Sequence, residues 1–457
     1  MEFEAVIGME LHVQLKTETK LFCSCRVEFG APPNKNVCPV CLGMPGVLPV
    51  LNKKAVEHAL RVAIALNCRI NKESLFARKN YFYPDLPKGY QITQYTTPIG
   101  WNGWIDVNGK KIRIKRVHLE EESAKTVLEG DYAYIDFNRA GIPLVEIVTE
   151  PDLTSPGDAV QFVKTLQTLL RYLGVSDADM EKGQLRCEPN VSVRRRGDEK
   201  LGTRREIKNL NSIRSLERGI RYEIEQQIKI LSSGGEVERA TLLWDEKEEV
   251  TRPMRMKEEE EDYRYFPEPD LPPLLLTEDF IKEIRKTMPE LPHERKERLI
   301  KEGLREYDAD ILTRDLERGR YYDEVVSLTS DPPETAKWVI TELKEKFPPA
   351  RELAWIINAV KEGKITRNAG KEILKEIIEK GKPAEEIVKE KGMTQVSDEE
   401  EIRKLVEQAF EMHPEEKERL FSGERKLVGF FIGEVMKLSG RRANPGVVKR
   451  MIEEMLG

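Results

Sequence analysis

The sequence predicts an α+β protein with three parts: a large N-terminal mixed-sheet domain of cradle-like form, an all-helical domain and a small helical tail domain. Strand patterns and most of the Gly and Pro turn signals lie in residues 1–290. From about residue 278 onward, apolar residues instead recur every three or four positions among Lys and Glu. A chain of 457 residues is also too long for one hydrophobic core.

The individual elements can be predicted in order along the chain. Strand patterns occur at residues 3–16, 101–120 and 133–150, and helical patterns near residues 53–67, 157–173 and 211–232. The proline-rich run 266–273 is predicted to be rigid and extended and to close the large domain. Because the segment 396–399 has the character of a linker and N-cap before a last helical module, we place the domains at residues 1–290, 291–396 and 397–457.

Composition and charge restrict the class of protein. Hydrophobic residues make up 39% and charged residues 34%, as in a globular protein with a charged surface. The net charge of −6 excludes an overall basic character, so nucleic-acid contacts must come from local basic patches. No apolar run is long enough to span a bilayer, and the acidic start leads directly into a strand pattern. We therefore expect no membrane association, no signal peptide and a cytoplasmic location.

The first predicted strand carries polar side chains suited to binding a cation. In residues 3–15 the odd positions are apolar, whereas the even positions include Glu10 and His12. Alternation places these two side chains on one face, about 7 Å apart at the backbone, which is close enough to share a cation. A solvated sheet face would explain the same pattern.

Two later segments favour a cation site over a solvated face. Residues 116–122 end a strand pattern with His118 and three consecutive glutamates. Glu146 interrupts the apolar run 141–150, which is typical of a buried strand. Because a buried carboxylate is costly when isolated, Glu146 should have a cation or hydrogen-bond donors as partners. A salt bridge to an arginine would meet this need, and so would a hard divalent ion held by several oxygens.

Four cysteines form two closely spaced pairs in the turn-rich loop 23–41. They are Cys23, Cys25, Cys38 and Cys41. Such pairs suit a tetrahedral structural zinc ion, although the C-x-C spacing of the first pair is tighter than usual, and unmodified buried thiols are the alternative. Four thiolates leave no open coordination position, so the metal would brace the loop without doing chemistry. Cys68 and Cys187 are predicted to be core residues, and no disulfide framework is expected.

Several long motifs resemble one protein family. They occupy residues 6–15, 45–52, 78–92, 136–141, 208–212 and 262–271. Together they resemble the B subunit of bacterial aspartyl/glutamyl-tRNA amidotransferases, and the resemblance extends over essentially the whole chain. It implies a heterotrimer with an amidase-type A subunit, which releases ammonia from glutamine, and a small C subunit.

The resemblance also implies a defined reaction. With ATP and Mg²⁺, such a protein phosphorylates the side-chain carboxylate of glutamate on tRNA(Gln) or of aspartate on tRNA(Asn). Ammonia delivered through a tunnel then displaces the phosphate and yields Gln-tRNA(Gln) or Asn-tRNA(Asn). Phosphorylation is needed because a free carboxylate is a poor acyl donor, and phosphoryl transfer needs magnesium and positive charge around the phosphate.

The resemblance assigns roles to particular residues by their positions in the motifs. It implies Mg²⁺ ligands at Glu10, His12, Glu120 and Glu146, in agreement with the strand-face argument. It implies a tunnel gate at Lys79 and Glu121, and the cysteine pairs match the zinc-bearing branch of the family. Without the resemblance, Lys79 would be interpreted as an ordinary lysine with its amine in solvent.

Nucleotide binding is harder to locate from the sequence. Neither a Gly-x-x-x-x-Gly-Lys-Ser/Thr loop nor a Gly-x-Gly-x-x-Gly fingerprint occurs, so ATP should use a non-standard pocket beside the magnesium site. The sequence does not rank the basic residues available to contact phosphate. They are Lys79, Lys88, Arg186, Arg204, Arg205, Lys208, Arg252, Arg255 and Arg264.

The C-terminal segment is locally basic. Residues 424–457 contain seven basic and four acidic residues, a balance of +3 against −6 for the chain. A solvated helix face explains such a run equally well. The resemblance implies that the helical and tail domains hold tRNA by its shape and backbone. The predicted phosphate contacts are Lys426, Lys437, Arg441, Arg442 and Lys449.

Two other functions are compatible with the residues alone. One is a zinc-braced RNA-binding scaffold without catalytic activity, in which the acidic strands only pack. The other is a metal-dependent phosphoryl-transfer enzyme that acts alone on a small carboxylic acid. Replacing Glu146 tests the scaffold hypothesis, and removing residues 397–457 tests the small-molecule hypothesis.

Overall fold

A mixed β-sheet with flanking helices forms the N-terminal part of the chain, followed by helices. The structure is a computed structural model and describes residues 2–255, 263–391, 399–440 and 443–456. The chain divides into two units, Met1–Pro292 and His293–Gly457. The predicted α+β class is confirmed.

All strands found in the described residues belong to the first unit. They are β1 Phe3–Gln14, β2 Arg69–Ile70, β3 Glu73–Ser74, β4 Ala77–Asn80, β5 Tyr90–Thr93, β6 Gly100–Val107, β7 Lys110–Glu121, β8 Lys125–Glu129, β9 Tyr132–Asp136, β10 Pro143–Thr149, β11 Leu185–Arg195, β12 Arg205–Lys208, β13 Ala240–Asp245, β14 Val250–Arg255, β15 Phe266–Pro267 and β16 Leu274–Leu275. The helices of this unit are α1 Lys53–Ala65, α2 Pro156–Tyr172, α3 Ile213–Ser232 and α4 Glu278–Lys286.

Among the described residues, twelve strands form one sheet. Its main path runs β14-β13-β12-β11-β1-β10-β7-β5-β4-β15, while β6 pairs with β7 and β2 pairs with β6. The pair β12–β13 is parallel and the other pairs are antiparallel, so the sheet is mixed. The central strands β11, β1, β10 and β7 come from distant parts of the chain. Long-range pairing therefore decides which side chains become neighbours.

Two of the predicted strands prove to be pairs of strands. Residues 101–120 form the hairpin β6–β7, because Asn108 (φ 53°) and Gly109 (φ 81°) adopt the left-handed conformation of a tight Asn-Gly turn. Residues 133–150 contain the end of β9 and all of β10, which belong to different sheets. The predicted strand at 3–16 and the three predicted helices of this unit are found within about two residues of their limits.

An irregularity in β7 determines which of its side chains face the core. The pairing with β10 shifts between Val148 and Thr149, so that β7 advances two residues where β10 advances one. On one side of this β-bulge Ile112 and Ile114 belong to the core, and on the other side Val117 and Leu119 do. Simple alternation from Ile112 would have pointed His118 and Glu120 into the core. The bulge points them to the opposite face.

The helices of the first unit cover the apolar face of the sheet. Helix α2 begins at the N-cap Ser155, whose side chain accepts a hydrogen bond from Asp158 N, and Pro156 at its first position fits a helix start. Helix α3 is capped in the same way by Ser212. Apolar residues from α1, α2 and α3 share one buried cluster with the odd positions of β1. The even positions of β1 are thereby left for the opposite face.

The second unit is helical throughout its described part. Its helices are α5 Pro292–Lys301, α6 Glu306–Arg314, α7 Leu316–Thr329, α8 Pro332–Thr341, α9 Ala350–Lys361, α10 Arg367–Lys380, α11 Ala384–Lys391, α12 Glu399–Met412, α13 Pro414–Phe421, α14 Leu427–Leu438 and α15 Pro445–Leu456. Their buried residues form two clusters, one within 299–388 and the other within 402–452. The predicted division at residues 396 and 397 lies outside the described residues and remains a prediction. No helix among the described residues has the length and apolar character needed to cross a membrane.

Candidate functional site

A row of polar residues crosses the four central strands on the face away from the helices. His12 of β1 lies opposite Arg186 of β11 and opposite Glu146 of β10, and Glu146 lies opposite His118 of β7. The adjacent row contains Glu188, Glu10, Val148 and Arg116. The odd positions of β1 from Ile7 to Val13 are in the core, so the strand face predicted from alternation is present there.

Two histidines and two carboxylates of these strands are in mutual contact. His12 Nε2 lies 3.4 Å from Glu120 Oε1 and 3.6 Å from Glu146 Oε2. His118 Nε2 lies 3.3 Å from Glu146 Oε2 and 3.8 Å from Glu120 Oε2. His118, Glu120 and Glu146 are buried. Each carboxylate therefore has an imidazole as a close partner.

Burial and charge together shift the pKa values of these groups. Burial alone would lower the pKa of His12, but the hydrogen bond to Glu146 and the carboxylate of Glu120 raise it to about 9. Burial alone would raise the pKa of Glu146, but the charge and hydrogen bond of His118, together with His12, hold it well below the usual range. The carboxylate of Glu146 thus lies beside groups that favour its charged form.

The donor atoms of this group fit a hard divalent cation. One imidazole nitrogen of His12 and one oxygen each of Glu120 and Glu146 lie within 4.8 Å of one another. Carboxylate oxygens are the protein ligands that Mg²⁺ prefers, and three ligands leave positions for water and phosphate. Cation binding would replace imidazole protons as the positive charge beside the carboxylates.

Glu10 belongs to a neighbouring acidic group and not to this one. Its carboxylate lies with those of Glu188 and Glu206, again with one oxygen from each within 4.8 Å. Lys208 Nζ lies 2.6 Å from a carboxylate oxygen of Glu188 and 3.7 Å from one of Glu206, which supplies a positive charge to this group. The structure thus brings together three of the four predicted magnesium ligands and places the fourth nearby.

Both acidic groups line one cavity of about 340 Å³. Basic residues line the same cavity and differ in their partners. Arg186 pairs with Glu122, and Lys208 with Glu188. Lys115, Arg204 and Arg239 are exposed, and no salt bridge joins them to a carboxylate within the ranges that the structure describes. The cavity therefore combines a group of side chains that could hold a cation with basic side chains available to an anion.

Aromatic side chains form another part of the cavity wall. Tyr95 and Tyr265 are stacked, with ring centroids 4.0 Å apart and an interplanar angle of 5°. Lys79 Nζ lies 4.6 Å from the centroid of the Tyr263 ring and 5.9 Å from that of Tyr81. Lys79 is thus held at the edge of the cavity over aromatic faces, which attract cations.

Glu121 points into a different cavity from Lys79. Consecutive strand residues alternate in direction, and Glu120 lines the larger cavity whereas Glu121 lines a smaller one of about 100 Å³. Glu121 accepts hydrogen bonds from Lys88 Nζ and from Ile92 N at 2.9 Å. Gln91 lies between the two predicted gate residues, since it pairs with Lys79 across β4–β5 and donates a hydrogen bond to Glu121 O at 2.8 Å.

The four cysteines of the loop form a compact cluster. Sulfur atoms of Cys23, Cys25, Cys38 and Cys41 lie within 4.8 Å of one another, and all four are free thiols. A hydrogen bond from Cys23, assisted by the backbone of Cys38, lowers the pKa of Cys41 to about 4. Four thiols at this separation fit a tetrahedral structural metal such as zinc.

The cysteine cluster forms one wall of the smaller cavity. Cys23 and Cys41 line this cavity together with Lys88 and Glu121. Gly43 allows the close approach, because its φ is +66° and a Cβ there would lie 2.6 Å from Lys88 Cγ. The predicted core cysteines Cys68 and Cys187 are buried.

The predicted tRNA contacts lie in the last helices. Lys426 precedes α14, Lys437 Nζ lies 2.6 Å from a carboxylate oxygen of Glu434, and Lys449 Nζ lies 3.8 Å from one of Glu453. All three side chains are largely in solvent and remain predicted contacts. Arg441 and Arg442 lie outside the described residues.

Sequence reasoning missed several residues of the large cavity. Glu188 and Glu206 join it because β11 and β12 pair beside β1, which no local pattern reveals. Lys115 and Arg239 were not among the basic residues considered. His118 could have been predicted as a site residue from the sequence. It lies two residues before Glu120 in the same strand, and side chains at that spacing point to the same face.

Comparison with known proteins relates this geometry to one family. A family model described as the GatB/GatE catalytic domain matches residues 5–282, and one described as the GatB domain matches residues 320–456. The B subunit of an aspartyl/glutamyl-tRNA(Asn/Gln) amidotransferase from Persephonella marina is 52% identical, with all of both chains covered. Proteins of the same description from Thermotoga maritima and Carboxydothermus hydrogenoformans are 46% and 45% identical, covering all of this chain and 99% of theirs. The chain therefore belongs to the family of aspartyl/glutamyl-tRNA(Asn/Gln) amidotransferase B subunits.

Proposed function

We propose that this chain is the component of a tRNA-dependent amidotransferase that activates the carboxylate to be amidated. Its substrates would be glutamate on tRNA(Gln) or aspartate on tRNA(Asn), whose side chains it phosphorylates with ATP and Mg²⁺. Ammonia from a glutaminase A subunit then displaces the phosphate to form Gln-tRNA(Gln) or Asn-tRNA(Asn). The descriptions of the relatives, which name these tRNAs, support the substrate class.

One observation carries the catalytic part of this proposal. His12, Glu120 and Glu146 form a cation-binding group in the same cavity as three basic residues without carboxylate partners in the described parts of the chain. Phosphoryl transfer requires this combination, because negative charge on the phosphate oxygens must be offset on more than one side. Magnesium, when bound, would neutralise phosphate oxygens and help to align them.

The basic residues of the cavity can now be ranked. We assign Lys115, Arg204 and Arg239 to phosphate binding, because their side chains are exposed to the cavity and have no ion-pair partner among the described residues. Lys88 and Arg252 do not line this cavity and are already paired, with Glu121 and Asp245 respectively. An arginine can offer two parallel hydrogen bonds to phosphate, which adds geometric specificity to charge.

Glu10 retains a proposed role in cation binding, but through a water molecule of the hydrated ion. Its carboxylate accepts a hydrogen bond from Asn190 Nδ2 at 3.1 Å and stands one row away from His12 on the same face of β1. From there it can orient a water molecule of a hydrated Mg²⁺, which characteristically keeps several waters.

Ammonia would reach the activated carboxylate between Lys79 and Glu121. Glu121 lines the small cavity beside the cysteine loop and Lys79 lines the large cavity, with Gln91 between them. Polar side chains along this line can hydrogen-bond a small polar molecule in transit. The route leads from one face of the sheet to the other, since Glu120 and Glu121 point in opposite directions.

The cysteine loop and the C-terminal tail also have roles in the proposed function. Zinc at the four cysteines would brace the loop that forms the wall of the small cavity. The basic side chains of the tail would contact tRNA phosphates, and the A and C subunits would complete a heterotrimer acting in the cytoplasm. The cytoplasm is where aminoacyl-tRNA is used.

Substituting Glu146→Gln tests the central step. This change removes the charge of one proposed ligand while keeping its shape, so ATP- and Mg²⁺-dependent amidation should fall at least about 100-fold. Affinity for tRNA should remain within about twofold, because phosphate contacts elsewhere dominate it. Glu129→Gln, at the exposed end of β8, is the matched control and should retain full activity.

The measurement is the conversion of Glu-tRNA to Gln-tRNA by the assembled complex, with tRNA binding and thermal unfolding measured on the same preparations. Normal amidation by a correctly folded Glu146→Gln variant would refute the proposed role of this carboxylate. If that variant unfolds, Glu120→Gln gives the same test from the neighbouring strand.

A further inference from the structure

Lys20 is a fully buried lysine beside the cysteine cluster. Its side chain has no exposed surface, which is rare for lysine. Its Nζ lies 3.4 Å from Cys41 Sγ and donates a hydrogen bond to Phe137 O at 3.1 Å. In the part of the chain that the structure describes, no salt bridge joins Lys20 to a carboxylate.

An ammonium group buried without a negative partner is strongly unfavourable. A compensating charge must therefore stand close to Lys20. Cys41 Sγ is at hydrogen-bond distance from its ammonium, whereas Glu121 lines the same small cavity without a salt bridge to it. Four thiolates around one divalent ion carry a net charge of −2, whereas four neutral thiols carry none. The metal-bound form of the cluster therefore offers Lys20 a buried negative charge at hydrogen-bond distance.

The surrounding contacts hold Lys20 in this position. Its backbone N donates to Cys25 O at 3.0 Å, so the residue is also tied to the first cysteine pair. Cys38 N donates to Cys41 Sγ at 3.2 Å, which gives that sulfur a second donor besides Lys20 Nζ. Leu21 N donates to Gly141 O at 2.8 Å and thereby fixes the chain next to Lys20.

We propose that Lys20 is the positioning residue that balances the charge of a divalent metal–thiolate centre formed by Cys23, Cys25, Cys38 and Cys41. Its ammonium hydrogen-bonds one thiolate and offsets part of the net negative charge of the occupied centre. Lys20 thus strengthens metal binding by the loop. This inference rests on the zinc site of the proposed function but not on its ATP or tRNA chemistry.

The substitution Lys20→Met tests this inference, because methionine is of similar length and lacks the charge. Zinc affinity of the full-length chain should fall about 10- to 100-fold, the range typical for groups that hydrogen-bond metal ligands. Lys35→Met removes a charge from an exposed position of the same loop and is the matched control. Its zinc affinity, measured by competition with a chromophoric chelator, should stay within twofold of the unsubstituted chain.

Thermal unfolding separates charge balance from simple packing. With zinc bound, Lys20→Met should unfold at a lower temperature than the unsubstituted chain. After zinc removal by a chelator the difference between the two proteins should be smaller, because the net charge of −2 of the occupied centre is then absent. A merely structural role of Lys20 predicts the same lowering of the unfolding temperature in both conditions, and that result would overturn the proposal.

The zinc assays also distinguish this inference from the function on which it rests. They need neither ATP nor tRNA, so inactive but zinc-binding protein leaves the role of Lys20 intact. Normal zinc affinity of Lys20→Met would reject the role of Lys20 while leaving the zinc site in place. Failure of the unsubstituted chain to bind zinc would reject both.

Discussion

Glu120 and Glu121 are neighbours in the sequence but belong to two very different cavities. Glu120 lies in the larger cavity with two histidines and a second carboxylate, in reach of basic residues that have no described ion-pair partner. Glu121 lies in the smaller cavity, where Lys88 and Ile92 N already hydrogen-bond its carboxylate. The larger cavity has charges arranged for a ligand, whereas the polar groups around Glu121 are already paired with one another.

The difference shows how a single strand can serve two tasks. Alternation sends consecutive side chains to opposite faces, so one short segment contributes to both cavities without any further element. The bulge before Arg116 decides which residue faces which cavity. In the proposed function, carboxylate activation takes place on one face and ammonia entry on the other.

The largest expected effect comes from comparing Glu120→Gln with Glu121→Gln. Glu120→Gln should lower amidation at least about 100-fold with either glutamine or ammonium as nitrogen donor, because it removes a proposed cation ligand. Glu121→Gln should retain ATP cleavage and ammonium-dependent amidation. Its glutamine-dependent amidation should fall roughly 10-fold or more, because the change disturbs the proposed route by which ammonia reaches the activated carboxylate. Assays of the assembled complex with each nitrogen donor check both. Equal effects of the two variants on both donors would contradict the division of tasks.

An intermediate effect is expected for the basic residues of the larger cavity. Arg204→Met should raise the KM for ATP about 10-fold, as expected from the loss of one charge-assisted hydrogen bond. Arg252→Met removes an arginine that is paired with Asp245 and lies outside the cavity lining, so it serves as the matched control. Steady-state kinetics with varied ATP provide the measurement. An unchanged KM in Arg204→Met would remove this residue from the proposed phosphate site.

The smallest effects are expected in the tail, far from both cavities in sequence. Lys426→Ala should weaken tRNA binding by roughly two- to fivefold and reduce the salt dependence of log Kd by about 0.7–1, as for one phosphate contact. Amidation at saturating tRNA should not change. Titration of labelled tRNA at several salt concentrations tests this prediction, with Lys404→Ala as an exposed lysine of the same unit for comparison. An identical salt slope for Lys426→Ala and the unsubstituted chain would argue against a phosphate contact.

The cysteine loop and the carboxylate–histidine group also differ in how far the sequence could predict them. The cysteines lie within nineteen residues, so their spacing was enough to predict a common metal site, and their sulfur atoms do form one cluster. The second group comes from three strands, and His12 of β1 lies more than a hundred residues before its partners on β7 and β10. Its composition was predicted from the family resemblance, and the structure places Glu10 in the adjacent group instead.

By itself, the sequence determined the local features of this protein. It determined the α+β class, the facing of Glu10 and His12 on β1 and the clustering of the cysteines, because periodicity and short spacing act within a few residues. Only the tertiary structure decided that Glu188 and Glu206 join Glu10, that β7 bulges before Arg116, and that Glu120 and Glu121 serve separate cavities. Strand pairing and register depend on burying apolar side chains from distant segments together, and no local pattern contains that information.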